Sequence, residues 1–314
     1  MAKVSHNPAI GAHLFIGGIP TFMRQPASRD LEGVEVAIIG IPFDGGTLVS
    51  RSGTRSGPLK IREASLDLFK GCHPIFKVDP FDKFTRVDYG DVAVEPLSME
   101  DTLKAIQEEV GAVLVSDTTV IALGGDHSIT LPLLRTHAAK FGPLAVIHFD
   151  AHPDTADYEV SHATSFYHAI KEKLIDTEAY IQVGIRGPSI LEDVEAARAL
   201  GAQVLTIDEC FAMGIPAVIQ KITELMGRRR VYVSFDIDSV DPAYAPGTGS
   251  PEIGGFTSYQ ILQMVRGLAG LNLVGFDLVE VCPSYDHGEI TSILAANLVL
   301  EFLSLLAVNK SKSS

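Results

Sequence analysis

Three residues that can bind a cation follow one apolar run at alternate positions. The run covers residues 144–149, and Asp150, His152 and Asp154 come directly after it. Short apolar runs of this kind are typical of buried strands in parallel sheets. In extended backbone, alternate side chains point to the same side, and unpaired buried carboxylates are very costly. The spacing therefore predicts a cation site at the end of this strand.

Three further apolar runs end in residues of the same types. These are Asp126 and His127 after residues 118–123, Asp236 and Asp238 after 231–235, and Asp277 and Glu280 after 273–276. So many ligands exceed the need of one ion, whereas two divalent ions about 3.5–4 Å apart, bridged by shared carboxylates, would use them. Carboxylates with imidazole and without thiolate suit Mn²⁺ better than structural zinc, and nickel or cobalt also fits these ligand types.

Each of these residues also has an ordinary structural interpretation. A histidine after two glycines, such as His127, commonly serves in a turn, and Asp150 or Asp236 alone could cap a following helix. Asp241 precedes a proline, and we interpret it as a residue that only shapes its loop. The joint occurrence of three such groups at three predicted strand ends favours a metal site.

The elements that must position these residues alternate between strands and helices. The predicted strands cover 34–40, 84–88, 118–123, 144–149, 180–183, 204–207, 231–236 and 273–277. The predicted helices begin near 59 and cover 98–117, 130–140, 163–174, 188–200, 215–227, 258–268 and 290–308. We expect an ordered arm at 1–32 and fraying at 310–314. The apolar strands predict a parallel sheet with helices on both faces, in one α/β domain of residues 1–314, with the site at the carboxyl ends of its strands.

Composition narrows the class of protein. The chain has 314 residues, 46% of them hydrophobic, and a formal net charge of −14. The charge argues against nucleic acid or an anionic membrane as partner, and it is compatible with a cationic substrate or with solubility alone. Three widely spaced cysteines suggest neither a disulfide framework nor a zinc ribbon. With no signal peptide and no run of eighteen apolar residues, we expect a cytoplasmic protein.

The three ligand-bearing segments together resemble a known family. Residues 124–128, 150–154 and 234–242 are similar to the three signatures of the ureohydrolases, the arginase and agmatinase family. The resemblance runs from 20–24 to the last predicted helix, and residues 242–249 and 280–286 favour the branch with agmatinase, guanidinobutyrase and proclavaminate amidinohydrolase. It implies a three-layer αβα fold with a central, mostly parallel sheet of about eight strands.

The resemblance also implies a binuclear manganese site and roles for its residues. One ion would be held by His127, Asp150, Asp154 and Asp236, and the other by His152, Asp150, Asp236 and Asp238. Glu280 would hold the substrate guanidinium, and His162 would move protons near the leaving amine. The two cations would acidify a bridging water, and Asp154 would orient the resulting hydroxide. Its attack on the guanidinium carbon would release urea and an amine.

Departures from the family pattern lie around the substrate and leave its identity open. His162 is followed by Ala163 instead of glycine, Pro153 replaces a common Thr or Ser, and the loop 155–161 is short. Agmatine and 4-guanidinobutanoate lead as small cationic guanidino substrates. Alternatives are an N-alkylated guanidine or a biguanide, with nickel as a further metal, a single-zinc deacetylase, and a catalytically silent subunit of a mixed oligomer. The resemblance implies a homo-oligomer, a trimer or hexamer.

Overall fold

Eight parallel strands form the centre of the molecule. The computed structural model describes residues 19–188 and 190–313. The strands are β1 Val36–Ile41, β2 Arg86–Asp91, β3 Thr119–Gly124, β4 Leu144–Phe149, β5 Ile175–Ile185, β6 Gln203–Thr206, β7 Arg230–Asp236 and β8 Asn272–Val279. They form one sheet in the order β2-β1-β3-β8-β7-β4-β5-β6, and neighbouring strands pair in parallel. The predicted parallel sheet is confirmed.

Helices cover both faces of this sheet. They are α1 Gly57–Ser65, α2 Pro80–Lys83, α3 Met99–Val115, α4 Thr130–Phe141, α5 Ser165–Lys171, α6 Ile190–Ala199, α7 Ile207–Met213, α8 Ile215–Met226, α9 Ser258–Gly267 and α10 Ile290–Ser313. Alternate strand residues enter two separate cores: Ala145 and Ile147 of β4 pack with α7 to α10, and Val146 packs with α3 to α6. The three-layer αβα arrangement follows from this alternation.

Most of the predicted elements are present, with four differences. Strand β5 is longer than predicted, and α2 and α7 were not predicted. For residues 310–313 the prediction of fraying is wrong, because α10 continues to Ser313 and Lys310 forms an ion pair with Glu35; residue 314 lies outside the described part of the chain. Of the predicted arm, residues 1–18 lie outside the described part of the chain. Its remainder contains the short 3₁₀-helix Phe22–Arg24, with Phe22 and Met23 buried.

The last helix is long and apolar enough to cross a membrane by composition alone. Its most apolar stretch lies within Ile290–Ser311 and has a mean hydropathy of 1.9. In the structure, 72% of that stretch is buried, and Leu298, Phe302 and Leu305 belong to the core on one face of the sheet. We therefore interpret α10 as a core helix.

Candidate metal centre

Four neighbouring strands end side by side below the candidate site. Strands β3, β8, β7 and β4 are adjacent in the sheet, so their carboxyl ends meet at one edge. The loops after them carry His127, Glu280, Asp238 and Asp154, and the last residue of β7 is Asp236. The sheet order brings together residues that are up to 153 positions apart in the chain.

One group of ligand atoms surrounds Nδ1 of His127. This nitrogen lies 2.9 Å from Oδ2 of Asp154, 3.1 Å from Oδ2 of Asp150 and 3.2 Å from Oδ2 of Asp236. The nitrogen is buried, yet it makes no hydrogen bond of proper geometry within the described residues. A buried polar atom without a partner is uncommon in proteins. Three carboxylate oxygens around such a nitrogen fit a divalent cation.

A second group shares Asp150 with the first. Nδ1 of His152 lies 3.0 Å from Oδ2 of Asp238 and 3.5 Å from Oδ1 of Asp150. Asp150 therefore directs one oxygen to each group. Oδ1 of Asp236 accepts the backbone N–H of Asp238 at 2.8 Å, so Asp236 is close to the second group through the chain itself. The six residues predicted as metal ligands lie in these two adjoining groups.

A buried hydrogen-bond chain orients the ring of His127. Its Nε2 lies 2.9 Å from Oγ of Ser234, which donates to Oδ1 of Asp277 at 2.7 Å. The hydroxyl of Tyr232 also donates to Asp277. Because Ser234 gives its proton to Asp277, it accepts the proton on Nε2, and Nδ1 keeps its lone pair. Metal-bound histidines usually have such a partner on the other ring nitrogen. Asp277 therefore supports the site from within β8 and lies outside both ligand groups.

The concentration of negative charge in the cluster also favours cation binding. Burial together with repulsion from Asp238 and Asp150 raises the pKa of Asp236 well above its ordinary value. Burial and the charge of Asp150 likewise raise the pKa of Asp238. Burial lowers the pKa of His152, but the charges of Asp238 and Asp150 outweigh it and raise that pKa. Carboxylates this close disfavour one another's charged forms, and nearby divalent cations would remove that penalty.

Glu280 and His162 form a pair beside the carboxylates. Oε1 of Glu280 accepts the backbone N–H of His127 at 2.9 Å and lies 3.3 Å from Nδ1 of His162. The backbone N–H of Leu48 points to Nε2 of His162 at 3.1 Å. Burial lowers the pKa of His162, but the hydrogen bond and charge of Glu280 raise it to about 9. The Leu48 contact favours the neutral ring, but the negative charge of the buried Glu280 carboxylate outweighs it.

Asp126 and Asp241 shape loops. Oδ2 of Asp126 accepts the backbone N–H of Gly46 at 2.7 Å, and Oδ1 accepts that of Ser128 at 3.0 Å. Burial and the charge of Glu280 raise the pKa of Asp126 to about 6. Asp241 accepts backbone N–H groups of Ala243 and Gly254, which agrees with the loop role expected for it.

A cavity of about 850 Å³ opens above the carboxylates. Its lining includes the carboxylates of Asp154, Asp236, Asp238 and Glu280, which we call its floor, and the rings of His152 and His162. Apolar residues line part of its wall: Val49, Ala163, Ile190, Ala196, Ala199 and Leu200. Lys171 and Asp193 also line it. Such a cavity has room for a small molecule whose polar end reaches the floor.

One buried group beneath the site was not predicted from the sequence. His148 lies in β4 with Nε2 2.7 Å from Oδ2 of Asp150, and it stands within an apolar run. The sequence contained one signal that could have identified it: a histidine two positions before Asp150, and therefore on the same face of the strand.

Fold and site together define a class of metalloenzymes. In this class a parallel sheet between two layers of helices carries a cluster of carboxylates and histidines at the carboxyl ends of its strands. The chain belongs to the Arginase family, whose model matches residues 34–304. The predicted resemblance to the ureohydrolases is thereby confirmed.

Named relatives support this membership. Guanidinopropionase of Pseudomonas aeruginosa is 42% identical over 303 residues, which cover 95% of this chain and 94% of the relative. Agmatinase of Chromobacterium violaceum is 44% identical over 301 residues, covering 93% and 90%. The solved structure of proclavaminate amidinohydrolase from Streptomyces clavuligerus superposes with a TM-score of 0.90 at 43% identity, covering 94% of this chain and 99% of that one.

Proposed function

We propose that the chain is a binuclear-metal amidinohydrolase that cleaves a guanidino C–N bond and releases urea and an amine. The coarser assignment, a hydrolase acting on C–N bonds of linear amidines, follows from the family and the named relatives. The observation that supports the finer one is the pair of ligand groups sharing Asp150 at the floor of a cavity.

Two cations would be held by the residues of these two groups. We assign His127, Asp150, Asp154 and Asp236 to one ion, and His152, Asp150, Asp236 and Asp238 to the other. Hard oxygen donors with two imidazoles suit Mn²⁺, and Ni²⁺ also fits them. When bound, the pair would supply an acidified water molecule as nucleophile and charge stabilisation for the reaction. A single-zinc deacetylase would not need the second group of His152 and Asp238.

Glu280 is placed to hold the guanidinium. Its Oε1 is engaged by the amide of His127 and by His162, while Oε2 makes no hydrogen bond that the described residues show. A side chain at Gly249 would come within 3.5 Å of Oε2, so the glycine keeps the approach to that oxygen open. A buried carboxylate with a free oxygen suits the planar N–H donors of a guanidinium.

Asp154 would orient the attacking water, and His162 would transfer a proton to the leaving amine. Oδ2 of Asp154 lies among the ligand atoms and lines the cavity, where it can accept a hydrogen bond from the attacking water. His162 also lines the cavity, and its Nδ1 lies 3.3 Å from Oε1 of Glu280. We assign to it the transfer of a proton to the leaving amine, a general-acid role that histidine commonly has.

Agmatine and 4-guanidinobutanoate are our leading substrates. The names of the relatives include guanidinopropionase, guanidinobutyrase and agmatinase, and Lys171 and Asp193 offer both charges along the cavity. The second candidate is an N-alkylated guanidine or a biguanide. The apolar wall formed by Ala163, Ile190 and Leu200 favours it, because that wall suits an uncharged alkyl group.

A substrate screen tests the proposal. Metal-free protein is reconstituted with Mn²⁺ or, separately, with Ni²⁺, and urea release is measured from agmatine, 3-guanidinopropionate, 4-guanidinobutanoate, N-alkylguanidines and a biguanide. We expect urea from at least one compound and none from the Asp150→Asn variant. Bound metal with no turnover of any compound would favour the catalytically silent subunit. Wild-type turnover in Asp150→Asn would refute the assigned ligand set.

The remaining assignments follow the same proposal. We propose a cytoplasmic homo-oligomer, a trimer or hexamer, whose partner is its small cationic substrate. We propose that it binds neither nucleic acid nor a membrane, in keeping with the net charge of −14. Size measurement of the purified chain in solution tests the oligomer, and a monomer at working concentrations would contradict it.

A further inference from the structure

Three buried polar side chains lie beneath the loop that carries Asp150, His152 and Asp154. His148 of β4 is the register partner of Gln182 of β5, and Tyr180 lies two residues before Gln182 on the same face. All three residues are fully buried. Polar groups in such a position need hydrogen-bond partners, and the partners they have lead directly to the metal loop.

The hydrogen bonds of this cluster have only one consistent direction. The carbonyl of Pro153 can only accept, so the amide nitrogen of Gln182, 2.6 Å away, donates to it. The same nitrogen donates to the hydroxyl of Tyr180 at 2.7 Å. Both N–H groups of Gln182 are thereby used, so the hydroxyl of Tyr180, 3.4 Å from Nδ1 of His148, is the donor that faces this ring nitrogen. Nδ1 of His148 therefore accepts.

The other ring nitrogen of His148 consequently carries the proton. Nε2 lies 2.7 Å from Oδ2 of Asp150 and donates to it. The ring of Phe166 stacks on the imidazole with centroids 3.9 Å apart and fixes its plane. Nε2 also lies close enough to the donor atoms of His127, Asp150 and Asp154 to be taken for a ligand. A nitrogen that bears a proton has no lone pair for a cation, which argues against that role.

We propose that His148 is a positioning residue of the metal centre, which holds the carboxylate of Asp150 through its Nε2–H while Gln182 holds the Asp154 segment through the carbonyl of Pro153. This inference rests on the proposed function. A carboxylate that serves two ligand groups must keep a fixed rotation, and the hydrogen bond from His148 provides it. Partners of this kind typically change metal affinity about 10- to 100-fold when removed.

Metal titration of four proteins tests the inference. Mn²⁺ is titrated into metal-free wild type, His148→Phe, His148→Gln and the control His137→Phe, and bound ions are counted by elemental analysis. Phenylalanine keeps the stacking on Phe166 but loses the donor, whereas glutamine restores an N–H. His137 is equally buried and lies in α4, outside the cluster, and phenylalanine keeps its ring contact with Tyr232. We expect His148→Phe to bind two ions with affinity about 10- to 100-fold weaker, and the other two variants to resemble wild type.

Every other result overturns a defined part of the argument. Wild-type affinity in His148→Phe would exclude the positioning role, and so would a loss in His148→Gln as large as in His148→Phe. A His148→Phe protein that saturates with one ion would make His148 a ligand. A wild-type chain that binds no ion would overturn the metal centre itself. If His148→Phe fails to fold by circular dichroism, Tyr180→Phe replaces it, with an expected loss of about two- to tenfold; an unchanged affinity there refutes the inference.

Discussion

Two acidic residues of the site have a left-handed backbone that side chains rarely adopt. The φ angle is 50° at Asp154 and 63° at Glu280. Such a conformation costs of the order of 1–2 kcal/mol for a residue with a Cβ, so the surroundings must maintain it. The N–H of Glu280 donates to the carbonyl of Gly125, and the N–H of Phe166 donates to the carbonyl of Asp154. The strained turns direct both carboxylates into the cavity.

Replacement of Glu280 by glutamine tests its assigned role in substrate binding. Glutamine keeps the acceptor for the His127 amide but removes the charge that would pair with a guanidinium. We expect kcat/KM to fall about 30-fold or more, since loss of one partner of a buried charge pair costs 2–5 kcal/mol. Metal content should stay at the wild-type level, which serves as the control. An unchanged kcat/KM would remove Glu280 from the substrate site.

The pH dependence of stability tests the His162–Glu280 pair. Because the pKa of His162 rises from 6.5 to about 9 on folding, its stabilisation is complete below pH 6.5 and is lost as pH rises through 9. In metal-free protein, we expect the stability advantage of wild type over His162→Gln to shrink by about 3 kcal/mol between pH 6 and 10. Denaturant unfolding measures it. In a Glu280→Gln background the dependence should largely disappear, and a constant difference would contradict the pairing.

At the scale of elements, the loops after the strands depend on close backbone contacts. The loop after β3 passes so near the segment after β1 that a Cβ on Gly125 would lie 1.8 Å from the carbonyl oxygen of Phe43. The carbonyl of Gly125 accepts the N–H of Glu280. Gly125 is followed by Asp126, which accepts the N–H of Gly46, and by His127. A glycine is therefore required for the packing of these loops, whatever its conformational freedom.

Alanine substitution at two glycines separates the effect of this close contact from the effect that any glycine-to-alanine change has on stability. We expect Gly125→Ala to lower the free energy of unfolding by about 3 kcal/mol or more, because the neighbour is backbone and cannot turn aside. The matched control is Gly111→Ala in α3, where the nearest atom would be 3.9 Å away; it should gain about 0.5–1 kcal/mol. Urea unfolding measures both, and equal effects would contradict the argument.

The predictable part of the fold and site follows from local patterns. Asp150, His152 and Asp238 could be predicted because parallel strand ends meet at one edge. The role of His148 could not, because its partners Tyr180 and Gln182 are 32 and 34 positions away. Helix α7 was missed although Thr206 and Glu209 form a capping box, a signature visible in the sequence. The left-handed turn at Asp154 also depends on contacts that no local pattern contains.

At the scale of the whole molecule, one sheet carries a concentrated negative charge at one edge. From the continuous sheet we infer that the part of the chain that the structure describes, residues 19–188 and 190–313, folds as one domain. Four carboxylates, from Asp150, Asp154, Asp236 and Asp238, lie within the two ligand groups. Burial makes the charged forms of these carboxylates costly, as the raised pKa values of Asp236 and Asp238 indicate, and the nearby His127 and His152 offset only part of this cost. Bound metal should therefore contribute to the stability of the whole chain as well as to catalysis.

Metal removal tests this contribution directly. Chelation should lower the free energy of unfolding, and each ion restored at about 100 times its dissociation constant should return about 2.7 kcal/mol. Thermal unfolding with and without Mn²⁺ measures the change. Mg²⁺ at the same concentration is the control, because it dehydrates reluctantly and suits imidazole ligands poorly. A melting temperature that is independent of Mn²⁺ would contradict a metal centre within the fold.

Replacement of Asp236 by asparagine should stabilise the metal-free chain and weaken the stabilisation by metal. Burial and neighbouring charges raise the pKa of Asp236 in the folded chain, so its ionisation costs stability at every pH above its ordinary value of 3.8. Asp236→Asn should therefore make the metal-free chain more stable than wild type at pH 7, with a smaller difference at pH 4. Because a ligand is lost, the same variant should gain less stability from Mn²⁺ than wild type. A variant less stable than wild type without metal would show that Asp236 serves packing first and that the repulsion among these carboxylates is relieved within the chain itself.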